Sequence, residues 1–133
     1  MINLPLLYFG YIIILFSIIG FGYLSTKLLS IRLSLGELGI SGILFMIILS
    51  YISNLFVSHS FIHNSIFLAI GLSAFFLISK KKLFRKKIKL ILLISSVLFI
   101  GILMYKTHDD FFYYHFQYTI SLIEFKKIFG VGN

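Results

Sequence analysis

Three long stretches of the chain carry no formally charged side chain: residues 1–26, 38–79 and 90–105. A helix that crosses a bilayer needs about 20 predominantly apolar residues, with a range of roughly 17–25. The first stretch therefore holds one span, about 4–25, with Pro5 in a first turn that tolerates proline. The second is long enough for two spans, about 39–57 and 61–79. They are separated by the polar piece Ser58-His59-Ser60-Phe61-Ile62-His63-Asn64-Ser65. The third is short for a span, covering roughly 24 Å at about 1.5 Å per residue. Lys89 and Lys106 at its ends make up the difference by snorkelling. The pattern predicts an all-α polytopic membrane protein. Residues 1–105 form four transmembrane helices, the last over 90–105, and residues 106–133 form an extracytoplasmic interfacial segment.

Composition agrees with this pattern. The chain is 59% hydrophobic and 12% charged, with a mean hydropathy of +1.05. Soluble domains are nearer a quarter charged, so these side chains cannot cover a water-soluble globule. The same figures exclude disorder, which requires few apolar residues. With no cysteine, disulfides, thiolate catalysis and Cys-ligated zinc are excluded. The N-terminus lacks the basic n-region, short apolar core and small-residue cleavage site of a signal peptide, so it reads as a retained helix.

Charge sets the orientation. Twelve Lys+Arg against four Asp+Glu give +8, a balance that elsewhere suggests nucleic acid. Here seven of the twelve cations fall in the run 80–89, between two apolar stretches, which marks a topology signal and an attraction for anionic headgroups, with no nucleic-acid partner. Loop 26–37 adds Lys27 and Arg32, and loop 58–65 adds none. The positive-inside rule then puts 26–37 and 80–89 in the cytoplasm, and 58–65 and both termini outside. Gly39-x-x-Gly42 misses the small-xxx-small spacing by one residue, so the glycines read as ordinary helix packing.

Candidate chemistry lies in 106–133. Here Lys106-Thr107-His108-Asp109-Asp110 is followed by the aromatic run Phe111-Phe112-Tyr113-Tyr114-His115-Phe116. At 100° per residue Phe111, Tyr114, Tyr118, Leu122, Phe125 and Phe129 share one face. The spacing predicts an interfacial amphipathic helix over about 110–129, its aromatic side in lipid, stopped at Gly130. Two readings of the polar residues stay open. Asp109, Asp110 and His108 can hold a divalent metal ion, or an aspartate assisted by His115 can act as a general base on an acceptor hydroxyl. Alternatively Asp109 or Asp110 caps the helix, with the histidines at headgroup depth. His59 and His63, four apart, have a ligand spacing but lie in a turn that must be polar anyway.

The stretch Asp109-Asp110-Phe111-Phe112-Tyr113-Tyr114-His115-Phe116, with Gly130-Val131-Gly132-Asn133 after it, resembles large polytopic bacterial proteins related to the C-type glycosyltransferases. Those enzymes take sugars from polyprenyl-phosphate carriers on the extracytoplasmic side, using acidic residues in an outer loop. The resemblance implies a bacterial inner membrane, a polyprenyl-phosphate-linked sugar as partner beside the lipid bilayer, and catalytic Asp109, Asp110 and His115. In that superfamily the acidic loop usually follows the first span, whereas here it follows the fourth. The family also has eight or more spans, so the chain reads as an N-terminal module of a longer protein. A small non-catalytic membrane subunit or scaffold is the alternative. A transporter fragment comes third, because the spans carry no Asp, Glu, Lys or Arg at depth.

Overall fold

The computed structural model describes residues 3–104 and 111–126. In that range the chain forms five helices: α1 (Leu4–Leu28), α2 (Leu35–Asn54), α3 (Phe61–Ser79), α4 (Lys82–Leu103) and α5 (His115–Glu124). Helices α1, α2 and α3 are each long and apolar enough to cross a membrane. Their outward residues, such as Ile40, Ile43, Leu44, Ile47 and Ile48 on α2, are exposed hydrocarbon.

Local chemistry sets the helix starts. The Asn3 side chain accepts from the Leu6 N–H at 3.2 Å, and Pro5 occupies the first turn of α1. The Ser34 N–H donates to the Glu37 carboxylate at 2.6 Å, so Glu37 closes a capping box on α2. The Ser60 hydroxyl caps α3 by accepting from the His63 N–H at 3.4 Å. Helix α1 ends with Ser30 in the left-handed region at φ 54°, and the Ile31 N–H reaches back to the Thr26 carbonyl at 3.2 Å. This is a Schellman-type ending in a position that glycine usually fills.

Helix ends differ from the charge pattern in a consistent way. Helix α1 runs past Ser25 to Leu28, and α2 begins at Leu35, ahead of the expected 39. The basic run 80–89, expected as a loop, is helical from Lys82, leaving Lys80 and Lys81 at the turn. Lysine and arginine are good helix formers whose stems lie along the helix, so charge marks an interface without ending a helix.

Helix α1 is the hub. A Cβ at Gly20 would land on the Gly71 carbonyl oxygen of α3 and within 2.8 Å of the Phe75 backbone nitrogen. A Cβ at Gly22 would land on the Leu38 carbonyl oxygen of α2, and one at Gly42 on the Ile18 carbonyl oxygen of α1. The crossings are therefore backbone-to-backbone contacts, with the glycine Cα–H aimed at a carbonyl. Around them Ile19, Leu38, Phe75, Ile78, Phe84 and Ile91 form the core, and Phe16 stacks on Phe75 at 4.2 Å.

Helix α4 is held through side chains and runs antiparallel to α1. The Tyr8 hydroxyl bonds the Ser96 hydroxyl at 2.7 Å, the Tyr8 and Tyr11 rings lie 5.1 and 5.3 Å from Phe99, and Lys81 Nζ sits 5.0 Å over the Tyr23 ring at the opposite end. The start of α1, the α2–α3 turn and α5 thus share one end of the bundle. The α1–α2 linker, the α3–α4 turn and nearly all the described cations share the other.

Helix α5 is shorter than expected. It begins at His115 with Tyr114 at the cap position and no side-chain cap, and it ends at Phe125. The caps of α5 are therefore Tyr114 and Phe125, and Asp109, Asp110 and Gly130 lie outside the described residues. Upstream, Phe111, Phe112 and Phe116 pack on one another with centroids 5.6–6.3 Å apart. Aromatic side chains lose rotamer freedom in a helix, and here they form a cluster ahead of it.

Two outcomes follow. Gly71→Leu or Gly20→Leu should overpack the hub and lower stability by about 1–3 kcal/mol or more. Gly10→Ala and Gly101→Ala, where a Cβ meets open space, should be neutral or stabilising by about 0.5–1 kcal/mol. Unfolding in detergent micelles measures both. Ser30→Gly should stabilise by about 1 kcal/mol by removing the cost of a left-handed Cβ, read by the same unfolding measurement.

Candidate functional site: the histidine end of the bundle

Of the residues singled out in the C-terminal segment, His108, Asp109 and Asp110 lie outside the described residues. His115 opens α5 and is exposed, and its carbonyl accepts from the Thr119 hydroxyl at 2.8 Å. Among the described residues no group of three or more His, Cys, Asp or Glu side chains is placed to hold a metal ion.

The site that does form is built from the last turn of α2, the turn after it, the first turn of α3, and α5. Polar residues in α2 fall at Ser50, Ser53 and Asn54, on one face by their spacing of three and four. Ser60 caps α3 and places His63 one turn in, so the rings of His59 and His63 stack at 4.6 Å and 7°. His59 Nε2 lies 3.1 Å from the Ser50 carbonyl oxygen. A carbonyl only accepts, so this nitrogen carries the proton. Asn64 donates from Nδ2 to the His59 carbonyl at 2.9 Å, which turns its Oδ1 toward His63 Nδ1 at 3.3 Å. That orientation leaves His63 Nε2 unprotonated, 3.1 Å from the Ser53 hydroxyl. The single Ser53 hydroxyl proton goes either to this nitrogen or to the Ser50 carbonyl at 3.0 Å. The result is a continuous relay from the His59 carbonyl through Asn64 and His63 to Ser53.

Helix α5 covers this end. The His59 N–H donates to the Leu122 carbonyl at 2.7 Å, so the segment is pinned by a backbone hydrogen bond. Beneath it is a cavity of about 180 Å³ lined by Ser50, Tyr51, Asn54, His59, Tyr118 and Leu122. Tyr118 and Leu122, expected on a lipid-facing side, instead face this cavity. Asn54 is 3% exposed, and its Nδ2 has no hydrogen-bond partner among the described residues. A buried donor without an acceptor costs about 1–3 kcal/mol, which an oxygen atom in the cavity would offset. A second cavity of about 370 Å³ adjoins it through Ser50 and Ile47 and continues down the bundle past His63 to Ser17.

Sequence reasoning assigned no role to Ser50, Ser53 and Asn54. The signal was available in their spacing ahead of His59 and His63, three polar groups on one helical face in an otherwise apolar run. No family model, curated protein or solved structure matches the chain.

Partial burial is the main cause that holds His59 below its ordinary value of 6.5. The Ser50 carbonyl works the other way, and a charge on His63 adds to the lowering. The unfolded chain therefore takes up this proton at higher pH than the folded one. The stability the neutral ring contributes is present above about pH 6.5 and is lost as pH falls through that value toward the lower folded pKa. Among the described residues the groups facing His59 are His63, Ser50, Ser53, Tyr51 and Tyr118, with no carboxylate. The unfolding midpoint in micelles should fall between pH 7.5 and 5, and His59→Asn should flatten part of that decline. An identical pH profile in the variant would remove His59 as its source.

Proposed function

We propose that the chain is a membrane-embedded module whose working face is the extracytoplasmic, histidine-bearing end, and that this end handles a lipid-linked sugar in the manner of a glycosyltransferase. Helix α4 makes the fourth crossing with its basic first turns at the cytoplasmic interface, and both termini lie outside. Positive-inside counting supports this orientation, since the described cations gather at the end opposite the histidines. The observation that carries the functional reading is the buried, partnerless Asn54 Nδ2 in a cavity also lined by a histidine, a serine and two tyrosines. Such a lining offers donors and acceptors to an oxygen-rich ligand, as a sugar or a phosphate is. Asp109 and Asp110 precede α5 in the sequence and supply a carboxylate base for deprotonating an acceptor hydroxyl, or a ligand for a divalent ion.

A non-catalytic subunit is the second reading, favoured by the apolar and largely exposed face of α4, which includes Leu93, Val97 and Ile100. The two readings part on one experiment. In the protein as expressed in cells, Asp109→Asn, Asp110→Asn and Asn54→Leu are assayed for sugar transfer from a polyprenyl-phosphate donor and for abundance in membranes. The module reading expects at least one aspartate variant to lose about a hundredfold or more in transfer at unchanged abundance. Full activity in all three leaves the subunit reading. Because the chain has no cysteine, single cysteines at Ser58, Gln117 and Lys80 test the topology. The first two should react with an impermeant thiol reagent from outside and the third should not.

A further inference from the structure

The opposite end of the bundle holds a cavity that the proposed function leaves unused. It has a volume of about 360 Å³ and lies between the α1–α2 linker and the α3–α4 turn. Three cations from three different segments line it: Arg32 from the linker, Lys81 from the turn and Lys87 from α4. Thr26 and Ser34 contribute hydroxyls, and among the described residues no acidic one lines the cavity. Glu37, the acidic residue nearest in sequence, lies outside the lining, with its carboxylate on the Ser34 N–H at 2.6 Å.

One of the three cations is held by an aromatic ring. Lys81 Nζ sits over the Tyr23 ring at 5.0 Å, and Lys27 Nζ lies 5.8 Å from the same ring. Cation–π contact holds an ammonium without neutralising its charge. The start of α2, Ser34 and Leu35, also faces the cavity, with the Ser34 N–H already taken by the Glu37 carboxylate. The inner wall is hydrocarbon, made by the buried side chains of Leu38, Ile78 and Phe84.

We propose that this cavity is a binding site for the phosphate headgroup of an anionic phospholipid. Three cations converging on one cavity, with no carboxylate among its described lining residues, call for an anion with phosphate-like oxygens. The apolar inner wall suits the glycerol and upper acyl carbons of a lipid, and a free phosphate ion leaves that wall unused. The cavity also sits where the apolar spans end, at Leu28, Leu35 and Ser79, which is headgroup depth for a membrane-crossing bundle. The site converts the general attraction of a basic run into one lipid held between the α1–α2 and α3–α4 connections, clamping α4 to the hub.

The test uses the full chain in phosphatidylcholine nanodiscs containing a minor fraction of phosphatidylglycerol, with retained lipid counted by native mass spectrometry. The wild type should keep one phosphatidylglycerol in preference to phosphatidylcholine. The triple variant Arg32→Gln, Lys81→Gln, Lys87→Gln should lose retention by about a hundredfold, at roughly fivefold per cation. The control Lys82→Gln, Lys86→Gln, Lys89→Gln removes the same charge from positions outside the cavity and should retain the lipid. Millimolar inorganic phosphate should not displace it. Equal losses in the two triple variants would reduce the effect to diffuse surface attraction, and equal retention of the two lipids, or displacement by inorganic phosphate, would overturn the lipid site. Helix content and unfolding midpoint in pure phosphatidylcholine check that the variant folds. If the triple variant fails to fold, Lys87→Gln alone decides, with about a fivefold loss expected and no loss refuting the site.

Discussion

The close approach of backbones at Gly20–Gly71, Gly22–Leu38 and Gly42–Ile18 is the constraint on which the arrangement depends. Between helices whose outer surfaces are hydrocarbon, lipid tails compete with side chains on equal terms, and burial alone gives no preference for one partner. What lipid cannot imitate is a carbonyl oxygen meeting a glycine Cα–H at backbone distance. Helix α1 carries two such glycines on neighbouring faces, one for α3 and one for α2. The crossing points on α1 thus fix where α2 and α3 lie relative to each other. Ser17 and Ser25 complete the seam. Both are buried, and Ser25 bonds the Gly22 carbonyl at 2.7 Å and the Ser41 hydroxyl at 2.5 Å.

Helix α4 has no glycine contact of this kind, because Gly101 faces open space. It is joined by a hydroxyl pair and a few rings near one end, by the buried side chains of Phe84 and Ile91 in the core, and by the Lys81–Tyr23 contact just ahead of its first turn. Its position relative to the hub therefore depends on side-chain packing and on its ends. One end is the tight turn after Ser79. The other leads toward α5, which is tied back to the bundle by the His59–Leu122 backbone bond. The polar groups at both ends consequently do structural work as well as offering sites. The basic end gathers segments of α1, α2, α3 and α4 around one cavity, and the histidine end gathers α2, α3 and α5 around another.

The sequence was most legible where a single physical rule applied. Lipid-facing surfaces must be apolar all round, so the uncharged stretches located α1, α2 and α3 with little ambiguity. The ends were less legible, because the chain uses Lys82, Arg85, Lys86 and Lys87 inside a helix and charge alone was read as loop. Which glycines matter was not legible at all. Gly39 and Gly42 stand three apart in one helix, yet only Gly42 meets a backbone, since contact depends on the crossing angle and not on residue type. Ser50, Ser53 and Asn54 were hidden by their apolar setting, and their role emerges only when the α2–α3 turn folds His59 and His63 back over them. The aromatic run before α5 misled the helix start in the opposite way, because a helical periodicity in Phe111 and Tyr114 was taken as a helix, whereas Phe111 packs on Phe112 and Phe116.

The histidine end also illustrates why a polar cavity in such a bundle has consequences for stability. Asn64 donates from Nδ2 to the His59 carbonyl and presents Oδ1 to His63 Nδ1, and the other buried side-chain nitrogens and oxygens among the described residues have partners. Asn54 Nδ2 is the exception, and its burial at 3% exposure denies it water from the surrounding solvent. Leaving it so costs about 1–3 kcal/mol, a sizeable part of a fold's net stability of about 5–15 kcal/mol. An acceptor entering the cavity recovers that energy only in the folded state. Occupancy and the seating of α5 over Leu122 are therefore thermodynamically linked, each favouring the other through the same cavity.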